Sequence, residues 1–378
     1  KEGDPTDENI PGLYLELAQF GFGKNCSPGL ESRVARQAAL CPSMQLAAQE
    51  LARDGVKMNV KTVGRITHQC GQGLLALRRQ EVLLWREGQL AAGSELHGQR
   101  VTVQIDGGRT KIRGDLRPAS ATKERTNDDG LVIDDAPGRS KQRPKQTYDA
   151  EWREPKLVTI FVHNDQGRME KRSRATIDGT FQGPDALAEL IAMHLHRLGA
   201  AGAASVTFVS DGACWIWDRI PVIVEKAKLQ AVTIHEVLDN SHASHHVSLA
   251  LAALGLDAEQ RMPLYREHRT RLRNGQWRGV VEDLESFAAE DPENTSLQTE
   301  IAYLRKHGEA GRLKYPYFRQ IGVPLGSGAI ESSIRRVINQ RLKSNSTFWK
   351  ESSAEAMLQL RSQLLTDRWD ERLTASRR

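Results

Sequence analysis

The sequence predicts an α/β protein: a mixed sheet with flanking helices, interrupted by an all-helical insertion and preceded by a helical module. Three observations predict it. Residues 29–95 carry apolar positions at helical spacing and no strand pattern. Between 96 and 243, short apolar runs with strand character alternate with helical stretches. From 244 to 316 the pattern is helical throughout, and no convincing strand returns in 317–378. A chain of 378 residues exceeds the usual single domain, so one large core with smaller modules is expected.

The segment 1–28 is polar and Gly-rich, with a short apolar patch at 13–17. Leu30, Val34, Ala38 and Cys41 then form an amphipathic stripe. Two short helices follow across the polar turn Asp54-Gly55-Val56-Lys57: 44–53 behind the N-cap Ser43, and 60–70 behind the N-cap Asn59. That is helix-turn-helix spacing. Its second helix would turn Lys61, Thr62, Arg65 and His68 outward, side chains suited to phosphates and base edges. An ordinary helical hairpin would show the same pattern.

In the core, Val101, Val103 and Ile105 alternate along a strand at 100–105 that ends in Asp106-Gly107-Gly108. Residues 117–147, rich in Pro, Asp, Lys and Arg, read as a long solvated loop. Strands at 157–162 and 170–177 flank the turn Asn164-Asp165-Gln166-Gly167 as a hairpin. A helix from 184 to 198 is stopped by Gly199 and Gly202, and a strand at 205–209 leads into Ser210-Asp211-Gly212. A further strand at 231–237 ends near Asp239. Beyond the insertion, 326–341 is a helix with the stripe Ile330, Ile334, Ile338 and Leu342, and a last helix spans 353–369.

Composition narrows the function classes. Hydrophobic residues at 39% and charged residues at 27% exclude wholesale disorder. No apolar run approaches the roughly 20 residues a bilayer span needs. With no charged-then-apolar leader at the start, a cytoplasmic location is expected. Cys26, Cys41, Cys70 and Cys214 make no C-x-x-C pair and support neither a zinc site nor a disulfide framework; reduced thiols are expected. The net charge of +5 favours a polyanionic partner. Its distribution says more: Arg312, Lys314, Arg319, Arg335, Arg336, Arg341 and Lys343 surround a single acid, Glu331.

Two strands end in Asp-Gly, at Asp106 and Asp211. In an open α/β sheet, functional groups gather at the carboxyl ends of strands, and glycine there allows a sharp turn and close backbone approach. Parallel neighbours would bring the two carboxylates together. Two like charges disfavour each other's ionisation, and a divalent cation removes that penalty; oxygen donors suit Mg²⁺ or Mn²⁺. Glu331 flanks the stripe that docks its helix on the sheet, with Arg335 and Asn339 on roughly the same face. Three such acids could hold two ions about 4 Å apart for an in-line phosphoryl displacement. Asp-Gly after a strand is also a common turn, and Glu331 could be a salt-bridge partner of Arg335.

Leu325-Gly326-Ser327-Gly328-Ala329-Ile330-Glu331-Ser332, followed by Gln340-Arg341-Leu342-Lys343, resembles the Glu-bearing signature of insertion-sequence transposases of the ISKra type. These are DDE enzymes with a ribonuclease H-like core, akin to Mutator-like transposases. Val103-Gln104-Ile105-Asp106-Gly107-Gly108-Arg109 resembles the family's first-Asp strand, and Trp152-Arg153-Glu154 the start of its second strand. Ser210-Asp211-Gly212-Ala213-Cys214-Trp215-Ile216 resembles its second-Asp block. Cys26-Ser27-Pro28-Gly29-Leu30, Ala356-Met357-Leu358-Gln359-Leu360-Arg361 and Asp367-Arg368-Trp369-Asp370 fit as well, so the resemblance covers most of the chain.

The resemblance implies a bacterial transposase that cuts and joins DNA with two Mg²⁺ or Mn²⁺ ions on Asp106, Asp211 and Glu331. Its partners would be terminal inverted repeats and target DNA, bound by a homodimer or larger assembly. DNA contacts are expected from Lys61, Thr62, Arg65, Arg335, Arg336, Arg341 and Lys343. Asp239-Asn240-Ser241-His242 is similar to the clan's D-x-x-H element, which implies an active-site role for His242 in positioning substrate or handling protons. Two departures stand out: Ser344-Asn345-Ser346-Thr347-Phe348-Trp349 replaces the usual small residue, Gly, Met and aromatic, and these 378 residues contain no Cys-rich zinc element, which either lies outside them or never formed part of the protein. Trp277, in the insertion, could stack on a base or pack in the core. A transposase-derived DNA-binding protein without catalysis and a nuclease that cuts without joining are the rival readings.

Overall fold

Residues 26–116, 148–343 and 348–377 are described by the computed structural model; the predicted loop 117–147, most of the segment 1–28 and the divergent stretch 344–347 lie outside the described residues. Alternating side chains build β1 (Arg100–Gly107), β4 (Lys156–Val162), β5 (Thr176–Thr180), β6 (Ser205–Ser210) and β7 (Thr233–Leu238) into one five-stranded sheet. Its order is β5-β4-β1-β6-β7: β1 is antiparallel to β4 and parallel to β6, and β6 is parallel to β7. The sheet is therefore mixed, as expected. Two further strands, β2 (Thr110–Leu116) and β3 (Tyr148–Arg153), form an antiparallel ribbon that the sequence did not disclose.

Helices cover both faces. On one, Val101, Val103, Ile105, Val158 and Ile160 pack with Leu187, Ile191 and Leu195 of α4 (Pro184–Leu198). The same core runs into the helical insertion through Val247, Leu272, Leu284 and Leu304, carried by α7 (Asn240–Ala253), α8 (Ala258–Arg273), α9 (Trp277–Glu290) and α10 (Thr295–Glu309). Short helices α5 (Cys214–Trp217) and α6 (Ile220–Lys226) follow β6. On the other face, Leu157 and Ile177 meet Ile330, Ile338 and Leu358.

That second core also contains Val34, Leu51, Val63 and Leu74 from α1 (Pro28–Leu40), α2 (Met44–Arg53) and α3 (Val60–Arg86). The N-terminal helices thus have no separate core; they share one with α12 (Gly328–Ile334) and α13 (Glu351–Leu365). The second helix of the helix-turn-helix pattern does not stop at Cys70 but runs 27 residues. Gly71 and Gly73 are not breaks. A Cβ on Gly71 would lie 2.7 Å from the Cβ of Ala356, so glycine lets α3 cross α13 at close range.

Three boundaries moved for local reasons. The strand expected at 170–177 starts at Thr176, because Lys171, Arg172 and Arg174 are polar and turn outward before pairing begins at Ile160↔Thr176. The helix expected over 326–341 is α-helical only to Ile334 and widens into a π turn at Arg335–Asn339. The last helix is two, α13 and α14 (Trp369–Ala375), separated where Asp367 adopts φ 54°. Helix α11 (Tyr315–Gln320) closes the insertion. Among the described residues, no helix is long and apolar enough to cross a membrane.

One polar strut ties these layers together. Arg78 of α3 donates to Asp178 of β5 at 3.0 Å, to the Gly179 carbonyl at 2.8 Å and to Glu355 of α13 at 2.7 Å. His194 Nε2 lies 2.7 Å from Asp178 Oδ2, and Gln359 also donates to Asp178. All these side chains are buried.

Candidate active site

Three parallel strands each deliver an aspartate at the same level. Asp106 is the penultimate residue of β1, Asp211 follows β6, and Asp239 follows β7. The registers Ile105↔Ser210 and Ser210↔Leu238 align the three positions across neighbouring strands, about 4.8 Å apart.

Asp106 Oδ1 accepts from the Gly107 N–H at 2.6 Å. Burial pushes its carboxyl up to about 6; the neighbouring Asp211 adds to the rise, against the Gly107 N–H and His242. A Cβ on Gly107 would meet the Glu154 side chain, which would have to turn aside; Glu154 pairs with Lys156 at 2.6 Å. Asp211 Oδ1 accepts from Ala213 N at 3.0 Å, and its carbonyl from Trp217 Nε1 at 2.8 Å. Over Gly212, the Tyr303 ring of α10 occupies the place of a Cβ, 2.0 Å from it. Burial, with the charges of Asp211 and Asp239, raises the Tyr303 phenol, so it stays protonated beside the acids.

Asp239 caps α7, accepting from Ser241 N at 2.5 Å. Its other oxygen accepts from Ser327 N at 2.6 Å and from the Ser327 hydroxyl. Against the cost of burial, His242 and these donors hold Asp239 well below the usual carboxylate range. His242 Nδ1 lies 3.8 Å from Asp239 Oδ2, an ion-pair separation beyond hydrogen-bonding reach. The Asp239 carboxylate is the main cause that raises the imidazole against its partial burial, with Asp211 and Asp106 adding to it. Ser327 Oγ also stands 3.1 Å from Glu331 Oε1. One hydroxyl proton therefore serves two carboxylates.

What fixes Glu331 there is a residue two places before Asp106. Gln104, 1% exposed, donates to the Gly326 carbonyl at 2.9 Å and accepts from Ile330 N at 2.9 Å, clamping the start of α12 onto β1. Its cross-strand neighbour Thr159 donates to Ser333 at 2.9 Å, securing the next turn.

Among the described residues, the tightest group suited to a cation is Asp239, His242 and Glu331, with ligand atoms within 4.8 Å of one another. The sequence grouped Glu331 with Asp106 and Asp211 instead. His242 joins the two sets, since Asp106, Asp211 and Asp239 all act on its imidazole. Asp239, Ser327 and Gln104 were missed as site residues. Asp239 carried a usable signal, a third aspartate after a third strand; Gln104 carried a weaker one, a polar side chain on a buried strand face. Asp239, Glu331 and His242 offer two carboxylates and an imidazole, a donor set that fits a divalent cation; Asp106 and Asp211 fall outside that group and reach it through their charges on His242.

The expected DNA contacts divide. Lys61 and Arg65 are exposed at the start of α3, Thr62 is half-buried, and Arg335 and Lys343 are exposed, with Arg336 half-buried. Arg341 is not available to a phosphate: it is 5% exposed and donates to the Ala38 and Pro42 carbonyls at 3.2 and 3.1 Å. With Arg361, which donates to Ala39 and Arg336 carbonyls, it holds the C-terminus of α1 against the π turn, where cations suit the unpaired carbonyls. Burial lowers both guanidiniums to about 10. Trp277 is a core residue, 7% exposed and packed over Gly308.

Compared with family models, with curated proteins and with solved structures, the chain matches none.

Proposed function

We propose that this chain is a DDE transposase of the ISKra type, which binds the ends of an insertion sequence and carries out DNA strand cleavage and strand transfer. The observation that carries it is the gathering of acids: aspartates stand side by side at the ends of three adjacent parallel strands, and the third of them, Asp239, meets Glu331 and His242. The mixed five-stranded sheet with helices on both faces is compatible with a ribonuclease H-like core. Mg²⁺ or Mn²⁺, two ions in the full assembly, would be held by Asp106, Asp211 and Glu331, with Asp239 and His242 beside them. Such ions would supply activation of the attacking oxygen and neutralisation of the leaving one.

The chain's own groups divide the remaining tasks. Gln104 and Ser327 hold Glu331 and Asp239 in place before substrate arrives. His242, raised by Asp239, can carry a proton at the edge of the acids and either neutralise a phosphate or hand that proton to a leaving oxygen. Tyr303 covers Gly212 beside Asp211. Lys61, Arg65, Arg335 and Lys343 would bind phosphates, with the chain acting as a homodimer or larger assembly on paired ends.

The test is cleavage of duplexes carrying the DNA that flanks the gene, with and without Mg²⁺. Cutting by the wild type, lost in Asp106→Ala and Asp211→Ala while DNA binding persists, is the expected result. Cleavage undiminished in both variants would sink the assignment, and binding without any cleavage would favour a DNA-binding protein. Strand transfer from pre-cut ends separates a transposase from a nuclease.

A further inference from the structure

The β2–β3 ribbon has no part in the chemistry above, yet it grows from the same edge. β1 and β4 pair as far as Gly107↔Lys156, and the same two chain segments pair again at Thr110↔Arg153. Successive strand side chains point to opposite faces. Thr110 and Ile112 turn inward and are buried, Thr110 donating to the Leu342 carbonyl at 2.8 Å and Ile112 bridging to Trp349. Arg109, Lys111 and Arg113 therefore share the outer face with Trp152, the cross-strand partner of Lys111.

Trp152 is 49% exposed, a large apolar ring left facing water. Cations stand around it: the Arg109 guanidinium carbon is 5.4 Å from its ring centroid and Lys111 Nζ is 5.2 Å away, with the same Nζ 5.7 Å from the Phe348 ring. Arg113 donates to the Phe348 carbonyl at 2.9 Å, which ties the far end of this face to the body. An exposed indole with cations beside it is what a nucleobase and its phosphates require: a π-face to stack on, and positive charge for the backbone. The bases of an intact duplex are already stacked on each other, so an unpaired base is the fitting occupant. Arg109 lies three residues beyond Asp106, about 10 Å along extended chain, so a strand crossing the acids reaches the ribbon within roughly three nucleotides.

We propose that the outer face of the ribbon binds an unpaired nucleotide next to the cleavage site, its base stacked on Trp152 and its phosphates held by Arg109 and Lys111. This rests on the DNA-processing assignment above. The test uses the full chain in EDTA, so that no strand is cut, and two duplexes of the same sequence. One is flush; the other ends in a short single-stranded overhang with 2-aminopurine as its first unpaired base. Binding should quench the 2-aminopurine. Trp152→Ala should abolish the quenching and weaken binding of the overhang duplex roughly five- to hundredfold, leaving the flush duplex within about twofold. Trp152→Phe should keep most of both. Equal weakening of both duplexes, or quenching that survives Trp152→Ala, overturns the site. Binding with no preference between the duplexes also overturns it while leaving the assignment standing, whereas failure to bind either duplex overturns both. Half of Trp152 is already in solvent, so the alanine variant should melt with the wild type, and Trp152→Phe decides the matter if it does not.

Discussion

At the β5 side of the sheet, Asp178 and Glu355 are surrounded by donors: Arg78, His194, Gln359, the Thr180 hydroxyl and the Phe181 N–H. At the carboxyl ends of β1, β6 and β7, donors are few: backbone N–H groups serve Asp106, Asp211 and Asp239, and one hydroxyl and one imidazole stand beside Asp239 and Glu331. The two clusters lie on one sheet, but the first is buried throughout and the second is partly open, and Asp178 and Asp106 are shifted in opposite directions. Arg78 and His194 hold Asp178 well below the usual carboxylate range despite its complete burial, while burial and Asp211 push Asp106 up to about 6. Where an acid serves the fold, the chain provides its counter-charge. Where it does not, the charge is left for something from outside.

The largest expected effect comes from breaking the first cluster. Arg78→Ala strands two buried carboxylates, and removal of one partner of a buried pair costs about 3–5 kcal/mol. Asp211→Asn, which removes one of several crowded acids, should leave stability in metal-free buffer within about 1 kcal/mol or raise it. Urea denaturation of the two variants measures both. Equal losses would erase the distinction between the clusters.

Acid titration should then reach the histidines that burial keeps neutral, among them His163 at the opposite end of the sheet and His307 on α10. His163 Nδ1 lies 2.8 Å from Thr102 Oγ1, and burial, with Arg100 and His235, lowers the imidazole to about 4 from an ordinary 6.5. Between those values the unfolded chain binds the proton and the folded chain does not. Stability from neutral His163 is therefore fully present above pH 6.5 and lost as pH falls toward 4, by up to about 3 kcal/mol. The strut feels the same change through His194, whose imidazole burial also lowers, while Asp178 stays ionised. His163→Gln should make the loss of stability below pH 6.5 shallower, with the remainder left to His194 and His307, and an unchanged slope would assign all of it to those two.

Divalent cations should distinguish the clusters next. Mn²⁺ or Mg²⁺ at a hundredfold excess over its dissociation constant would stabilise the wild type by about 2.7 kcal/mol. Arg78→Ala should keep that increment on its lower baseline, and Asp106→Asn or Asp211→Asn should lose most of it. Thermal melts in Mn²⁺ against EDTA read this directly. An increment that persists in both acid variants would move the cation away from the strand ends.

The same contrast explains what was legible in the chain. Asp106 and Asp211 stood out because alternating apolar residues led straight to them, and Glu331 because it was the one acid in a basic field. Periodicity marked the helical insertion for the same reason. The strut was invisible: Arg78, Asp178 and Glu355 lie 100 and more residues apart, and nothing local in the chain pairs them. Arg341 misled because a basic residue near a basic patch looks solvated, whereas it satisfies carbonyls at the end of α1. The ribbon was missed because Arg109, Lys111 and Arg113 alternate with only one buried apolar residue, Ile112, too weak a strand signal to read. The length of α3 was not legible beyond Cys70, because what Gly71 and Gly73 pack against, Ala356 and Ser376, lies at the far end of the chain.

The smallest expected effect on the fold is at Ser327, and it sharpens the comparison most. Its hydroxyl lies between Asp239 and Glu331, but Asp239 keeps the Ser327 N–H at 2.6 Å when the hydroxyl is gone. Ser327→Ala should therefore cost about 1 kcal/mol or less in urea, since one half-shared hydrogen bond is lost and no buried group is stranded. Cation affinity should respond far more, because groups that orient metal-binding carboxylates typically change it 10- to 100-fold, roughly. A large drop in Mn²⁺ affinity with a nearly unchanged fold would mark the hydroxyl as an organiser of the acids rather than a helix cap. The opposite outcome, a destabilised fold with unchanged Mn²⁺ affinity, would make this edge a second strut, and the excess of negative charge would then need another explanation.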